Sequence, residues 1–145
     1  MVEQSMTINA SPEAVFTYVA DISKHGEWAA PGHKLSVEKT SEGAVGKGST
    51  FRSVGHQFGE NIDTVTITEF VPNERVVYES EGKAGLIRHS FALAASGDGV
   101  EVTKTFDPVK TKMPFTIFAP LAQLFSVPGS LKGDLERIKG RVEAG

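Results

Sequence analysis

The chain has 145 residues, 39% of them hydrophobic and 23% charged, with a net charge of −3. That is the composition of an ordinary globule long enough to build a core without staples, and the charge balance offers no reason to expect nucleic acid or an anionic surface as partner. Cysteine is absent, which excludes disulfides, thiolate chemistry and cysteine-ligated metal.

Residues Met1 to Ser11 lack the basic and then apolar order of a secretory signal. No apolar run approaches the ~20 residues that span a bilayer. A single cytoplasmic domain over residues 1–145 is therefore expected.

Val2 to Ile8 alternates, with Val2, Gln4, Met6 and Ile8 on one face, and reads as a first strand. Ser11-Pro12-Glu13 is a helix start, with Ser11 as N-cap and Pro12 in the first turn. Ala14, Val15, Tyr18, Val19 and Ile22 give that helix its apolar face. A second short helical stretch, Ser23 to Trp28, stops at Ala29-Ala30-Pro31-Gly32.

From Leu35 the hydrophobic period changes to two. The predicted strands are Leu35 to Ser41, Ser49 to Val54, Asn61 to Val71, Arg75 to Ser80, Leu86 to Ala95 and Val100 to Pro108. They are separated by turn chemistry: Glu42-Gly43, Gly46-Lys47-Gly48, Gly55 to Gly59, Pro72-Asn73, Glu81-Gly82 and Ser96 to Gly99. Links this short favour an antiparallel meander. Its apolar face needs a cover, and Phe115 to Val142 supplies one.

In that last segment Ile117, Leu121, Leu124 and Phe125, then Leu131, Leu135, Ile138 and Val142, recur at helical spacing. A continuous helix of about 28 residues would measure ~42 Å. Pro120 and Pro128-Gly129 interrupt it, so two packed helices are preferred to one kinked helix acting as a gate, with Ser126 or Ser130 capping the second. Leu121, Leu124, Leu131 and Leu135 are expected to form the inner wall of whatever the helix encloses.

Three stretches resemble the SRPBCC superfamily, the START-like or helix-grip proteins that include the polyketide cyclase/dehydrase-like group. The first is Ile8 to Phe16 followed by Asp21 to Trp28. The second is Gly46-Lys47-Gly48-Ser49-Thr50-Phe51-Arg52, and the third is Val65 to Pro72 followed by Asn73 to Tyr78. The resemblance implies an α+β helix-grip fold: a curved six- or seven-stranded antiparallel sheet wrapped around a long C-terminal helix, with two short helices after the first strand. It also implies a cavity between sheet and helix that takes small apolar or amphipathic molecules. It brings no shared catalytic signature, no cofactor and no metal.

Alternation places Ile87, His89, Phe91 and Leu93 on one face of a strand, and Val100, Val102, Lys104 and Phe106 on that of its neighbour. A four-residue turn sets Phe91 opposite Lys104 and His89 opposite Phe106. Two ionisable groups then point into an apolar interior, where each must be paired, solvated or neutral. One reading makes His89 and Lys104 ligand anchors or an acid/base pair, with Tyr78 as a further hydroxyl. The more economical reading puts Lys104 at the rim, reaching water along its stem, and bonds His89 to a backbone carbonyl.

Trp28 either touches ligand at the cavity mouth or plugs the core with its indole N–H bonded. Phe16, Phe51, Val65 and Ile67 are cavity candidates that also suit simple core, and Phe91 and Phe106 join them. His25, His33 and His56 have no partner at metal-ligand spacing. Gly43 to Thr50 fails as a phosphate loop, because Ser49 stands where lysine is required and a strand follows instead of a helix.

Three functions remain. The first is a binding protein for a small hydrophobic or amphipathic ligand such as a lipid, polyketide or aromatic metabolite. The second is a cyclase/dehydratase or isomerase working in the same cavity. The third is an interaction module with a filled core, for which exposed Phe115, Phe118 and Phe125 would speak. A cavity below ~300 Å3 would weaken the first two. A monomer or a homodimer is compatible with all three.

Overall fold

The computed structural model describes residues 1–145 apart from Gln57 and Phe58, so part of the predicted turn from Gly55 to Gly59 lies outside the described residues. Strand β1 (Val2–Ile8) is followed by helix α1 (Pro12–Ala20), a 3-10 turn (Ile22–Lys24), helix α2 (His25–Trp28) and a second 3-10 turn (Pro31–His33). Strands β2 (Ser36–Lys39), β3 (Thr50–Gly55), β4 (Asn61–Val71), β5 (Arg75–Gly82), β6 (Gly85–Ser96) and β7 (Gly99–Thr111) come next. Helices α3 (Phe115–Phe125) and α4 (Val127–Ala144) close the chain.

All seven strands form one antiparallel sheet in the order β1-β7-β6-β5-β4-β3-β2. Strands β2 to β7 form a meander, and β1 joins it by pairing with β7 at the far edge. Register shifts between Ile67 and Glu69 and between Leu86 and Ile87 mark bulges, which bend the strands and curve the sheet around its concave face. The β5–β6 hairpin turns on Gly85 at φ +116°. A Cβ there would sit 2.0 Å from the Lys110 carbonyl oxygen, so no other residue fits.

Local chemistry accounts for the helices. Ser11 Oγ accepts the Ala14 amide at 3.1 Å, with Pro12 in the first turn of α1. The concave face of the sheet packs Ile8, Phe51, Ile67, Val76, Phe91, Val100 and Val102 against Val15, Val19 and Ile22 of the helical insert and Leu135 and Ile138 of α4. Helix α4 lies against β1, β7, α1 and α2.

The C-terminal segment is two helices broken at Ser126. Proline at 128 has no N–H for a bond back to Leu124, and its ring crowds that carbonyl, so a straight continuation is disfavoured. Ser126 stands at the junction without capping α4. Its hydroxyl turns back to the Ala122 carbonyl at 3.2 Å.

The break separates the two stretches of apolar spacing. In α4, Leu131 and Leu135 face inward as expected. In α3, Ala119 is the buried residue, and Leu121 and Leu124 are 58% and 71% exposed. These two leucines are therefore not an inner wall. The turn at Ser126 rotates their face outward, to solvent.

Truncation separates the two helices experimentally. Leu135→Ala should cost ~2–5 kcal/mol of unfolding free energy, whereas Leu124→Ala should stay within about 0.5 kcal/mol of the parent. Urea denaturation monitored by circular dichroism measures both.

Candidate functional site

A cavity of about 290 Å3 lies between the concave sheet and the first two turns of α4. Strands β5, β6 and β7 form its floor with Tyr78, Ser80, His89, Lys104 and Phe106. Leu131 and Asp134 of α4 form the roof, and His25 and His33 close one end. Val65 and Leu131, both predicted, line it too.

The floor follows from register. His89 pairs across the strands with Tyr78 on one side and Phe106 on the other, and Lys104 pairs with Phe91, the alignment the alternation predicts. Residues opposite each other on one face are the close neighbours of a sheet. The Tyr78 and His89 rings accordingly stack at 5.0 Å and 14°, and Phe106 meets His89 edge-on at 5.7 Å.

Lys104 is not at the rim. Its side chain is 3% exposed, and its Nζ lies 3.9 Å from Asp134 Oδ2. It also sits over the faces of Trp28 and Phe91, 5.5 and 5.4 Å from the ring centres, where the ring quadrupoles attract the cation. The stem is too deep to reach water, because β7 is flanked by β1 and β6 and roofed by α4.

Asp134 is shared. Its Oδ1 accepts from Arg137 Nη2 at 2.9 Å, and Arg137 Nε donates to the Trp28 carbonyl at 2.6 Å. The second oxygen is thereby left to Lys104. Desolvation pulls the Lys104 ammonium below its usual value and Asp134 opposes that shift in part. Burial likewise raises the Asp134 carboxyl, against the pull of Lys104 and Arg137.

His89 is not bonded to a backbone carbonyl. Its Nε2 lies 3.3 Å from Ser80 Oγ, and its Nδ1 is buried with no hydrogen-bond partner among the described residues. The Tyr78 hydroxyl and Trp28 Nε1 are also buried without a partner among the described residues, so the bond that the core-plug reading gave the Trp28 indole is not seen there. Burial and the nearby Lys104 hold His89 well below its ordinary value, and burial raises the Tyr78 hydroxyl. At neutral pH the imidazole is uncharged and the phenol protonated.

Other predicted residues lie elsewhere. Phe51, Ile67, Phe91, Trp28 and Leu135 are buried in the solid core behind the cavity wall. Phe16 packs edge-on against Phe70 at 5.2 Å and faces a separate surface groove. Several polar residues of the site escaped the sequence reading, Ser53, Asp63, Ser80 and Ser130 among them, and three more stand out. His25 stacks on Trp28 at 4.0 Å, one helical turn away, and His33 lies at the next turn. Asp134 was signalled by its place among Leu131, Leu135 and Ile138: a carboxylate inside an apolar stripe, facing a sheet with an inward lysine. Among the described residues no group of three or more His, Cys, Asp or Glu could hold a metal ion.

The profile of the family described as polyketide cyclase / dehydrase and lipid transport matches residues 1–143. The chain belongs to this family. Solved structures with the same fold include a START superfamily protein from Mycobacterium smegmatis, with 19% identity and TM-score 0.79 over 99% of this chain and 97% of that one. TTHA0849 from Thermus thermophilus matches at 20% identity and TM-score 0.72, covering 99% and 97% of the two chains. Ara h 8.0201 matches at 18% identity and TM-score 0.66, again over 99% and 97%. At these identities the likeness is one of fold. No curated protein matches the chain.

The two half-buried histidines at the cavity should make the protein sensitive to acid. Burial and Lys104 hold His25 down from its ordinary 6.5 to about 3, and the same two causes hold His89 well below its ordinary value. The folded rings refuse protons that the unfolded chain accepts below about pH 6.5, so unfolding takes up protons and stability falls as pH drops. Between pH 6 and 5 the loss should approach two protons, ~2.7 kcal/mol per pH unit. Urea melts across that range should show it, and His89→Gln should remove about half of the slope. An unchanged slope would mean that His89 is not the buried neutral group described.

Proposed function

We propose that the chain binds a small amphipathic molecule whose acidic oxygen group, a carboxylate or a phenolate, sits at Lys104 and whose apolar part fills the rest of the cavity. The observation carrying this reading is the set of unspent polar groups around one space. Among the described residues the Lys104 ammonium has a long ion pair and no hydrogen bond, and the Tyr78 hydroxyl and His89 Nδ1 have no partner. Buried polar groups left unpaired cost ~1–3 kcal/mol each. Ligand oxygens entering the cavity would offer Lys104 and Tyr78, which both line it, the partners they lack.

Size narrows the class. A volume of about 290 Å3 falls just under the ~300 Å3 below which the small-molecule readings weaken, so it counts against a large ligand and leaves room for ~10 water-sized groups. An aromatic or medium-chain acid fits that space better than a whole phospholipid. A longer tail would have to run into the adjoining groove of about 690 Å3, which shares His33, Ile87, Phe106, Val127 and Ser130 with the cavity.

A second reading rests on His89. Its neutral imidazole with a free Nδ1, beside an ammonium able to hold an enolate oxygen, is the equipment of a dehydratase, cyclase or isomerase. Turnover of a bound β-hydroxy or polyketide-like acid, lost in His89→Gln with binding retained, would select it.

Native mass spectrometry of freshly purified protein should reveal a co-purified small acid. Calorimetry should find aromatic and medium-chain acids bound at least tenfold more tightly than the matching amides. Lys104→Met, which fills the same volume, should lose at least ~30-fold in affinity for the acids and little for the amides. A clean apo mass together with equal affinities for acids and amides would sink the proposal.

A further inference from the structure

Helix α3 is amphipathic the wrong way round for a soluble protein. Its inward face is small, with Ala119 buried and Ala122 half-buried, while Ile117, Phe118, Leu121, Leu124 and Phe125 are each more than half exposed. These five follow the spacing i, i+1, i+4, i+7 and i+8, one continuous stripe of the helix surface. Met113, at the helix entrance, extends it and is 66% exposed. Contiguous apolar surface of this kind marks an interaction site.

Charge identifies the partner. Between Pro108 and Gly133 the sequence contains Lys110, Lys112 and Lys132 and no carboxylate, although the whole chain carries −3. Lys110 and Lys112 are exposed just before α3, and exposed Lys132 follows it in α4. Lys83, also exposed, shares a surface groove with Phe115 and Phe118; the carboxylate lining that groove, Asp63, is half-buried. An apolar ridge flanked by lysines complements a surface that is apolar inside and anionic outside.

We infer that α3 docks the protein on an anionic phospholipid bilayer, lying flat in the interface with its stripe among the acyl chains and the flanking lysines at headgroup level. A helix of 11 residues is ~16 Å long, and among the described residues no helix is long and apolar enough to cross a membrane. The stripe forms an exposed ridge on a helix packed chiefly against α4 and β7. A bilayer accommodates such a ridge without a matching groove. Phe115 and Ala122 of the same helix line the groove that adjoins the cavity, so docking would bring that groove against the membrane.

The test is co-sedimentation of the full chain with vesicles of phosphatidylcholine alone and of phosphatidylcholine with 30% phosphatidylglycerol, at low and high salt. Binding is expected on the anionic vesicles, weaker at high salt and weaker still on the neutral ones. Phe118→Ser/Phe125→Ser should abolish it while leaving the thermal unfolding midpoint unchanged, since both rings are exposed. Lys110→Gln/Lys112→Gln should weaken it about 25-fold, roughly fivefold per lysine. Failure to bind anionic vesicles, or binding that ignores the phenylalanine variants, would overturn the inference. So would a dimer in sedimentation equilibrium that the same variants dissociate without any vesicle binding, because the stripe would then belong to a second copy of the chain.

Discussion

A lysine and an aspartate share the middle of this protein, each nearly out of reach of solvent. Charges in such a place are tolerated only when each meets a counter-charge and its remaining hydrogen-bonding capacity is met as well. The aspartate fulfils both conditions: one oxygen goes to Arg137 and the other to Lys104, and Arg137 is in turn anchored on the Trp28 carbonyl. The lysine fulfils only the first. On this asymmetry the proposed site rests: an ammonium with unspent donors in a mostly apolar enclosure has capacity left for an oxygen.

Much of the architecture serves to hold that pair. Asp134 reaches Lys104 only if α4 keeps its register over the sheet, and its far end is tied down by the Asn9 amide on Glu143 Oε2 and by Lys139 on the Thr7 carbonyl. The helical insert contributes Trp28, whose ring lies under the ammonium and whose carbonyl holds Arg137. The cross-strand stack of Tyr78 on His89 fixes both polar groups against the same cavity wall. Sheet, insert and terminal helix thus each supply one side of the cavity.

The sheet was legible in the sequence because a strand's period is two and its turns carry Gly, Asn and Asp. Those signals located β1 and β4 to the residue and set Lys104 opposite Phe91. What periodicity cannot convey is depth. Whether an inward lysine lies at a rim or beneath a helix depends on what crosses above it, and Asp134 comes from a segment thirty residues downstream. For the same reason the histidines at 25 and 33 looked idle. Their role exists only because the insert folds back over the open end of the sheet.

Helix α3 failed for a different reason. Spacing specifies that a helix has an apolar face and says nothing about what that face meets. The stripe from Ile117 to Phe125 continues in phase into Leu131 and Leu135, so an unbroken helix would have buried both. The break at Ser126 reverses the outcome for one half. The overall charge misled in a parallel way, since a net −3 conceals a stretch with lysines and no carboxylates. Averages over the chain and periods along it are both blind to a local turn. Here that turn leaves an apolar helix outside, next to the groove that adjoins the cavity. A small acid with an apolar body is a molecule that partitions into membranes, so the inner site and the outer helix suit the same chemistry. The cavity offers the polar head an ammonium that the bilayer interior lacks, and that difference would give such a ligand a reason to leave the membrane for the protein.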